Sequence, residues 1–376
     1  MTYDYVIVGS GLTGAVLARL LTDAGRNVVV LDRRSHCGGN VHDSKHESGI
    51  RIHTYGPHYF RTNSDSLWEF VNRFSSFYSY EARIRTFVDG RHEHWPVTKS
   101  YIERLLGDRW WPGFPGEATN FEEASLSMMP REIYDRFVRG YSQKQWGVDP
   151  RELSADLARR FDVREDNETR LCRHKYQGIP TRGYARFMEA MLDGIPMVLD
   201  CDYLRRKDEF QYRCGLIYTG PIDEFFGFKF GKLKYRGQER RHTYHKDSDF
   251  LQPCGQVNFP DPADGDHIRS LEWKHMMAAN ELAGVRGTVL TKEVTVTPTD
   301  PNKYEYPFPD QANAALYKQY RTLAGSTADL LVCGRLGEYR YFDMDQAIAR
   351  AFVLAEKNFG VRTQETEDNM LQAAGA

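Results

Sequence analysis

The sequence predicts an α/β fold: a discontinuous Rossmann-type domain, with a mainly helical domain and an antiparallel β-sheet domain inserted into it. Three observations carry this. An apolar strand at residues 6–8 runs into Gly9, Gly11 and Gly14 at G-x-G-x-x-G spacing and then into a helix beginning at Leu12. A second apolar strand, Val28–Leu31, ends in an acid, Asp32. Far along the chain, LLVC leads into GRLG and then DMDQAIARAFVLAEKNFG, the same strand, glycine turn and helix layout.

Each element follows from local chemistry. Gly9 permits the tight turn, Gly11 lets backbone approach a pyrophosphate, and Gly14 lets the helix pack closely on the strand. The helix N-terminus then faces phosphate, and Asp32 accepts hydrogen bonds from a ribose. Strand, helix, strand and acid in this register predict dinucleotide binding, and the second pair Gly38-Gly39 favours FAD over NAD. After a strand-like IRTFVDG, helical patterns dominate as SYIERLLG, FEEASLSMM and PREIYDRFVRGY. In the last, Pro130 suits a first-turn position, and Ile133, Phe137 and Tyr141 recur at i, i+4 and i+8. Residues 156–180 read as irregular, polar and rich in arginine. A helix from Tyr184 precedes short strands that continue to about residue 300. The late helix opens on an acidic first turn.

These readings divide the chain. Residues 1–76, 184–235 and 326–363 form the FAD-binding domain, and 77–155 the mainly helical insertion. Residues 156–183 and 236–325 form a substrate, lid and antiparallel-sheet region, and 364–376 a flexible tail. At 376 residues the chain has room for two or three domains. A net charge of −2 gives no field that would attract nucleic acid or a membrane surface. Aromatic residues make up 13%, which suits a site that stacks on planar rings. The 6 cysteines are scattered without C-x-x-C, and no signal peptide precedes the first strand, which together read as a reduced, cytoplasmic enzyme. No apolar run approaches the ~20 residues that span a bilayer.

Three further stretches are more specific than any glycine fingerprint: YGPHYFRT at 55–62, GYSQKQWG at 140–147 and GRLGEYRYFDMDQAI at 334–348. With the N-terminal motif and YQGIPTRGY at 176–184, the chain resembles the UDP-galactopyranose mutase family from Tyr5 to about Phe359. The resemblance implies interconversion of pyranose and furanose forms of a UDP-linked sugar, without net redox change. It also implies reduced FAD whose N5 attacks the anomeric carbon, a covalent flavin–sugar adduct, and ring opening through an iminium. A homodimer is implied as well, and no metal.

Residue by residue, the resemblance assigns Arg160 and Arg269 to the diphosphate, where a guanidinium grips oxygen pairs as a fork. By itself, Arg160 would read as a solvated charge. Tyr306 and Tyr341 are assigned to the phosphates through their hydroxyls, though either would otherwise read as a core or rim tyrosine. Asp343 lies near the sugar in the family, and by sequence alone is equally a helix N-cap before Met344. Phe137, Tyr141 and Trp146 correspond to a uracil pocket. The first two share one helical face, a spacing that usually marks core. Asn258 matches a further substrate contact. His58, with Gly56 and Pro57, is implied to run along the isoalloxazine ring. The implied cofactor contacts are Gly9, Gly11, Thr13, Gly14, Asp32, Arg33, Gly39, Asn40, Gly56, Arg335, Asp343 and Met344. A lid is expected around Arg160 and residues 165–178.

The departures bear on substrate. Arg61 replaces a family histidine near the sugar, which brings in UDP-N-acetylgalactosamine, unless Arg61 merely pairs with an acid. Leu171 replaces a phosphate-contacting tyrosine, leaving Arg170 or Tyr176 to compensate or the grip to loosen. Ala82 stands where an asparagine lies close to the flavin. GDHIRSLEWK retains Arg269, Glu272 and Lys274 but not the rest of its motif. An amine-oxidase-type oxidoreductase would share the glycine motif, yet would predict an aromatic cage rather than paired arginines.

Overall fold

The computed structural model describes residues 2–107, 113–161 and 163–363. The tail expected at 364–376 lies outside them. Among the described residues a parallel sheet has five strands in the order Met197–Val198, Val28–Leu31, Thr2–Val8, Gln211–Tyr218 and Leu330–Val332. Val28–Leu31 is buried along its whole length, which explains an unbroken aliphatic run rather than an alternating one. Val8 lies beside Tyr218, and Tyr218 beside Val332, so the early and late glycine turns leave the same edge of one sheet. The helices Leu12–Asp23 and Met344–Phe359 pack together in the same apolar core. The discontinuous Rossmann-type domain is therefore the observed architecture.

A second sheet has seven strands, in the order Tyr306–Pro307, Tyr235–His245, Thr288–Val296, Arg269–Glu272, Gln256–Asn258, Ile84–Val88 and Arg91–Trp95. It departs from expectation twice. Ile84–Val88 pairs with Gln256–Asn258 in parallel, so the sheet is mixed. Ile84–Val88 is the strand that IRTFVDG predicts, but it and Arg91–Trp95, both within the mainly helical segment 77–155, join this sheet. The cause is non-local: a strand's own pattern says which face is buried, but not which distant strand it joins.

Helical structure begins at Lys99–Leu106 and continues through Phe121–Leu126 to a run that ends in Gly140–Trp146. Pro130 takes the N-cap, one position before its expected place. Between Tyr134 and Arg139 the turns widen to a π-helix, a form that often marks functional sites. The Gly140–Trp146 helix is pressed onto the loop that follows Asn258. A Cβ at Gly140 would lie 2.3 Å from the Pro260 carbonyl oxygen. Lys144 Nζ donates to the carbonyls of Phe259 and Asp261 at 2.7 Å and of His267 at 3.2 Å.

The expected lid region is tied at several points. Val163 bridges to Val97, Leu171 N donates to the Ala82 carbonyl at 2.7 Å, and Lys175 N donates to Asn63 Oδ1 at 2.9 Å. Tyr176–Pro180 is the central strand of a small antiparallel sheet with Phe60–Thr62 and Phe77–Ser79. Among the described residues no helix is long and apolar enough to cross a membrane.

Candidate active site

At Gly9 and Gly14 the glycine turn has no room for a side chain. A Cβ at Gly9 would lie 2.0 Å from Thr219 Oγ1, and one at Gly14 would lie 2.0 Å from the Gly9 carbonyl oxygen. A Cβ at Gly39 would lie 2.8 Å from the Gly11 α-carbon, so the two backbones touch. Asp32 is buried, and its carboxylate accepts from Ser10 N at 2.7 Å, Ser10 Oγ at 2.6 Å and Arg34 N at 2.9 Å. The cavity above is lined by Gly9, Gly11, Thr13, Gly14, Asp32, Arg33, Gly39, Asn40, Arg335, Asp343 and Met344.

Two placements qualify the expected cofactor set. Arg33 commits its fork to Glu224 at 3.1 and 2.9 Å. Gly56 does not line this cavity. At φ +91 it rests on an ion-pair chain, where a Cβ would lie 2.9 Å from Glu293 Oε1 and 3.1 Å from Arg240 Nη2. Arg34, which no motif announced, joins three parts of the wall. It donates to Asn40 Oδ1 at 2.9 Å and the Asn302 carbonyl at 2.6 Å, and lies 4.3 Å from the centre of the Tyr55 ring.

A second cavity shares a wall with the first: Asn40, His58, Arg335, Asp343 and Met344 line both. Into it the fold also brings Arg61, Phe137, Tyr141, Trp146, Asn258, Arg160, Arg269, Tyr306 and Tyr341. These come from segments far apart in sequence. Arg160 and Arg335 lie 4.1 and 4.5 Å from the centre of the Tyr341 ring, and the Tyr306 ring is parallel to it at 5.9 Å. Trp146 meets Tyr306 edge-on at 6.5 Å.

Arg269 is braced from behind. Its Nε donates to Glu293, which is fully buried and also accepts from Arg240 Nε at 2.8 Å. Arg240 in turn grips Glu305 at 2.9 and 2.8 Å. Burial works against the Arg269 charge, but Glu293 beside it outweighs burial and holds the pKa well above its usual value. Burial also opposes the Glu293 charge, and Arg269 and Arg240 overcome it to keep the carboxyl below its ordinary value. None of Arg240, Glu293 or Glu305 stands in a recognisable motif, and each becomes legible only through strand register.

His58 has a fixed tautomer. Its Nδ1 lies 2.7 Å from the Gly56 carbonyl oxygen, which can only accept, so Nδ1 carries the proton and Nε2 is an acceptor. Its backbone N–H donates to His53 Nδ1 at 3.0 Å. Burial first, then the neighbouring His53, lowers the His58 pKa to about 3. The ring is neutral at physiological pH.

At one end of the cavity Arg61 Nη2 donates to Asp343 Oδ2 at 2.8 Å. Asp343 also caps the helix Met344–Phe359, with its N–H donating to Gln346 Oε1 at 3.0 Å, so the cap expected of it is present while it also lines the cavity. Leu171 lines the cavity, and neither proposed substitute reaches it. Arg170 pairs with Glu168 and Glu81 at 2.7 and 2.8 Å. The Tyr176 hydroxyl donates to Asp65 at 2.8 Å while its ring stacks on Trp68 at 4.9 Å. Ala82 is buried outside the cavity.

At the other end Phe137 is largely a core ring, only 3% exposed and edge-on to Tyr101 at 5.2 Å. Trp95 and Phe161 add two rings that the sequence did not single out, in T-shaped contact at 5.8 Å. The retained Glu272 and Lys274 prove structural. Glu272 accepts from Leu251 N, Gln252 N and Thr288 Oγ1 at 2.8, 2.9 and 2.7 Å, and Lys274 Nζ donates to Asp249 Oδ1 at 2.7 Å. Together they clamp the loop that leads to Asn258.

The family model described as UDP-galactopyranose mutase matches residues 136–341, and one described as an NAD(P)-binding Rossmann-like domain matches residues 7–74. The chain is 32% identical over 370 residues to a probable UDP-galactopyranose mutase of Klebsiella pneumoniae, covering 94% of each. It is 30% identical over 373 residues to a dTDP-fucopyranose mutase of Escherichia coli, covering 93% of this chain and 97% of that protein. A crystal structure of reduced UDP-galactopyranose mutase superposes with a TM-score of 0.75 at 16% identity, covering 95% of this chain and 94% of that one.

Proposed function

Since the chain belongs to the UDP-galactopyranose mutase family, we propose that it interconverts the pyranose and furanose forms of a nucleotide-linked sugar, UDP-galactose first. The observation that carries the reading is the convergence of Arg160, Arg269, Tyr306 and Tyr341 on one cavity that shares a wall with the glycine cradle. FAD fits that cradle. The touching glycines leave backbone N–H groups for a pyrophosphate, and the Asp32 carboxylate is fixed in place by three donors beside them. Gly9, Gly11, Thr13, Asp32, Asn40, Arg335 and Met344 would hold it. When bound and reduced, the flavin supplies an electron-rich nitrogen nucleophile for the anomeric carbon.

The chain's own residues do the rest. Arg160 and Arg269 neutralise the departing diphosphate, and Arg269 does so from a fixed position because Glu293 holds its Nε. The tyrosine hydroxyls of Tyr306 and Tyr341 donate to the same group. His58 Nε2 accepts a hydrogen bond from a ligand N–H or O–H at the shared wall. The aromatic end holds the base by stacking on Tyr141 with Trp95 and Phe161 around it.

A second substrate is favoured by one observation: Leu171 leaves one phosphate donor uncompensated, whereas Arg61 pairs with an acid, Asp343. UDP-N-acetylgalactosamine or another nucleotide sugar, such as the dTDP-fucose of the E. coli relative, therefore stands beside UDP-galactose. Dithionite-reduced enzyme incubated with UDP-galactofuranose, dTDP-fucofuranose and the N-acetyl analogue, with products separated by chromatography, tests the reading. Conversion of one of them to its pyranose is the expected result. Failure of all three, with flavin bound, refutes it.

A further inference from the structure

A net charge of −2 averages over an uneven surface. Two segments that pack together, residues 225–238 and the helix Gln311–Gly325, contain no aspartate or glutamate. The Phe230 ring meets Tyr320 at 5.1 Å, the Tyr320 hydroxyl donates to the Gly231 carbonyl at 2.6 Å, and Lys234 N donates to Asn313 Oδ1 at 3.0 Å. Their joint surface carries five exposed cations, Lys229, Lys232, Lys234, Lys318 and Arg321. Among the described residues none of the five forms an ion pair, whereas exposed arginines elsewhere, such as Arg173, Arg186 and Arg241, each lie against a carboxylate. The acids that flank the two segments are engaged already. Glu224 takes the fork of Arg33, Asp223 is buried and accepts from Leu233 N at 2.9 Å, and Asp310 caps the helix through Asn313 N at 2.6 Å.

The lysines of the loop rest on rings rather than on acids. Lys232 Nζ lies 4.9 Å from the centre of the Phe228 ring, Lys229 Nζ 5.5 Å from that of Phe230 and Lys234 Nζ 5.8 Å from that of Phe308. A ring steadies an ammonium without neutralising it, so the charge remains for a partner. Phe230 is itself 38% exposed, between Lys229 and Lys232 in the chain. The loop is held at both ends by Asp223, whose carbonyl accepts from Phe228 N at 2.8 Å and whose carboxylate accepts from Leu233 N. Phe228 sits at φ +59, a left-handed conformation rare for so bulky a side chain.

We propose that this face docks the protein on an anionic phospholipid surface, with Phe230 entering the headgroup region and the five cations meeting lipid phosphates. The chemistry of the face selects that partner. A second copy set on it by two-fold symmetry would bring five cations against five, which disfavours a homodimer contact. Acidic proteins and nucleic acids are gripped chiefly through arginine forks. Here four of the five cations are lysines, in a chain where arginine is much the commoner of the two. Ammonium groups on long flexible stems around an exposed ring suit a diffuse layer of phosphate charge instead. Docking of this kind is peripheral and salt-sensitive, and it does not depend on which nucleotide sugar the enzyme turns over.

Sedimentation of the flavin-loaded, full-length protein with vesicles tests it, using phosphatidylcholine alone or mixed in equal parts with phosphatidylglycerol. Binding to the mixed vesicles only, weakened by added salt, is the expected result. Lys229→Gln, Lys232→Gln and Lys234→Gln combined should lower partitioning about a hundredfold, or roughly fivefold for each charge removed. Flavin content and melting temperature should stay at parental values, because these side chains line neither cavity. Lys318→Gln with Arg321→Gln, on the separate helix, should lower partitioning about twentyfold and decides the matter should the triple variant fold poorly. Equal partitioning onto both vesicle types overturns the proposal, as does partitioning within twofold of the parent in both variants. Retention by polyglutamate or duplex DNA without vesicle binding also overturns it, and would give the face to an acidic macromolecule.

Discussion

Replacing Glu293 by glutamine tests the claim that catalysis here depends on a buried brace. The side chain is fully buried between Arg240 and Arg269, whose side chains are 7% and 14% exposed. An amide keeps the shape but removes the charge, and its NH₂ meets a guanidinium that can only donate. The two arginines do not suffer equally. Arg240 keeps its two-pronged grip on Glu305, whereas Glu293 is the ion-pair partner of Arg269 among the described residues. Breaking a buried ion pair from one side costs ~3–5 kcal/mol. Unfolding entropies of ~2.1 cal/mol/K per residue give ~0.8 kcal/mol/K for this chain, so the melting temperature should fall by roughly 4–6 °C. A loosened Arg269 should also bind UDP about tenfold more weakly, a difference of ~1.4 kcal/mol. Thermal melts followed by flavin fluorescence, with calorimetry for UDP, measure both. A melting temperature within about 1 °C of the parent, with unchanged UDP affinity, would refute the reasoning, since ~1 kcal/mol already moves it that far.

Three other outcomes are expected. Gly14→Ala places a methyl 2.0 Å from the Gly9 carbonyl oxygen, so the purified protein should lose its flavin. An absorbance spectrum with parental flavin content would contradict the close packing. The Arg61–Asp343 pair is partly exposed, at 24% and 32%, and such pairs contribute only ~0–1 kcal/mol. Arg61→His should therefore leave the melting temperature nearly unchanged but alter the ratio of kcat/KM between two nucleotide sugars. An unchanged ratio removes Arg61 from substrate choice. Burial, followed by Arg51 for His53 and by His53 for His58, lowers both pKa values to about 3. Unfolded histidine titrates near ~6.5, so below that pH the unfolded chain binds more protons. The contribution to stability is complete above ~6.5 and declines as pH falls toward 3, by up to ~1.4 kcal/mol per pH unit for each ring. Urea midpoints at successive pH values should show that slope, and His53→Asn should reduce it. An undiminished slope in the variant would assign the acid sensitivity to other groups.

Residues whose task is set by immediate neighbours were legible in the sequence. Gly9, Gly11, Gly14 and Asp32 work within one βαβ unit, and strand, helix, strand and acid in register predict the close-packed turn and the cavity they line. Arg160, Tyr306 and Tyr341 were legible only by resemblance, because their helix or strand contexts are unremarkable. Gly56 illustrates the limit. Its motif marked it for the cofactor wall, whereas its missing side chain makes room for Glu293 and Arg240. That requirement arises from two strands far along the chain, carrying Arg240 and Glu293, whose register depends on non-local pairing. Trp95, Phe161 and Arg34 escaped for the same reason: each is a single residue delivered to a wall by topology.

The departures from the family pattern gain a direction once their positions are fixed. The cradle keeps its glycines, its acid and its closing arginine, while Arg61 and Leu171 both alter the substrate cavity. Arg61 commits one edge of its guanidinium to Asp343, so it does not present a wholly free charge to the cavity. Leu171 removes a hydroxyl, and Arg170 and Tyr176 are engaged elsewhere, with acids outside the cavity. On the proposed reading, the grip on a diphosphate would then fall more heavily on Arg160, Arg269, Tyr306 and Tyr341, which line the same cavity. Of these, Arg269 has its charge secured by a buried partner and Arg160 rests on the Tyr341 ring. A nucleotide that draws Arg160 onto its phosphates must trade that cation–π contact for charge-assisted hydrogen bonds, which are the stronger interaction. On the proposed reading, selection between sugars would concentrate at Arg61 and Asp343, and nucleotide affinity at the two arginines and the helix that carries Tyr141.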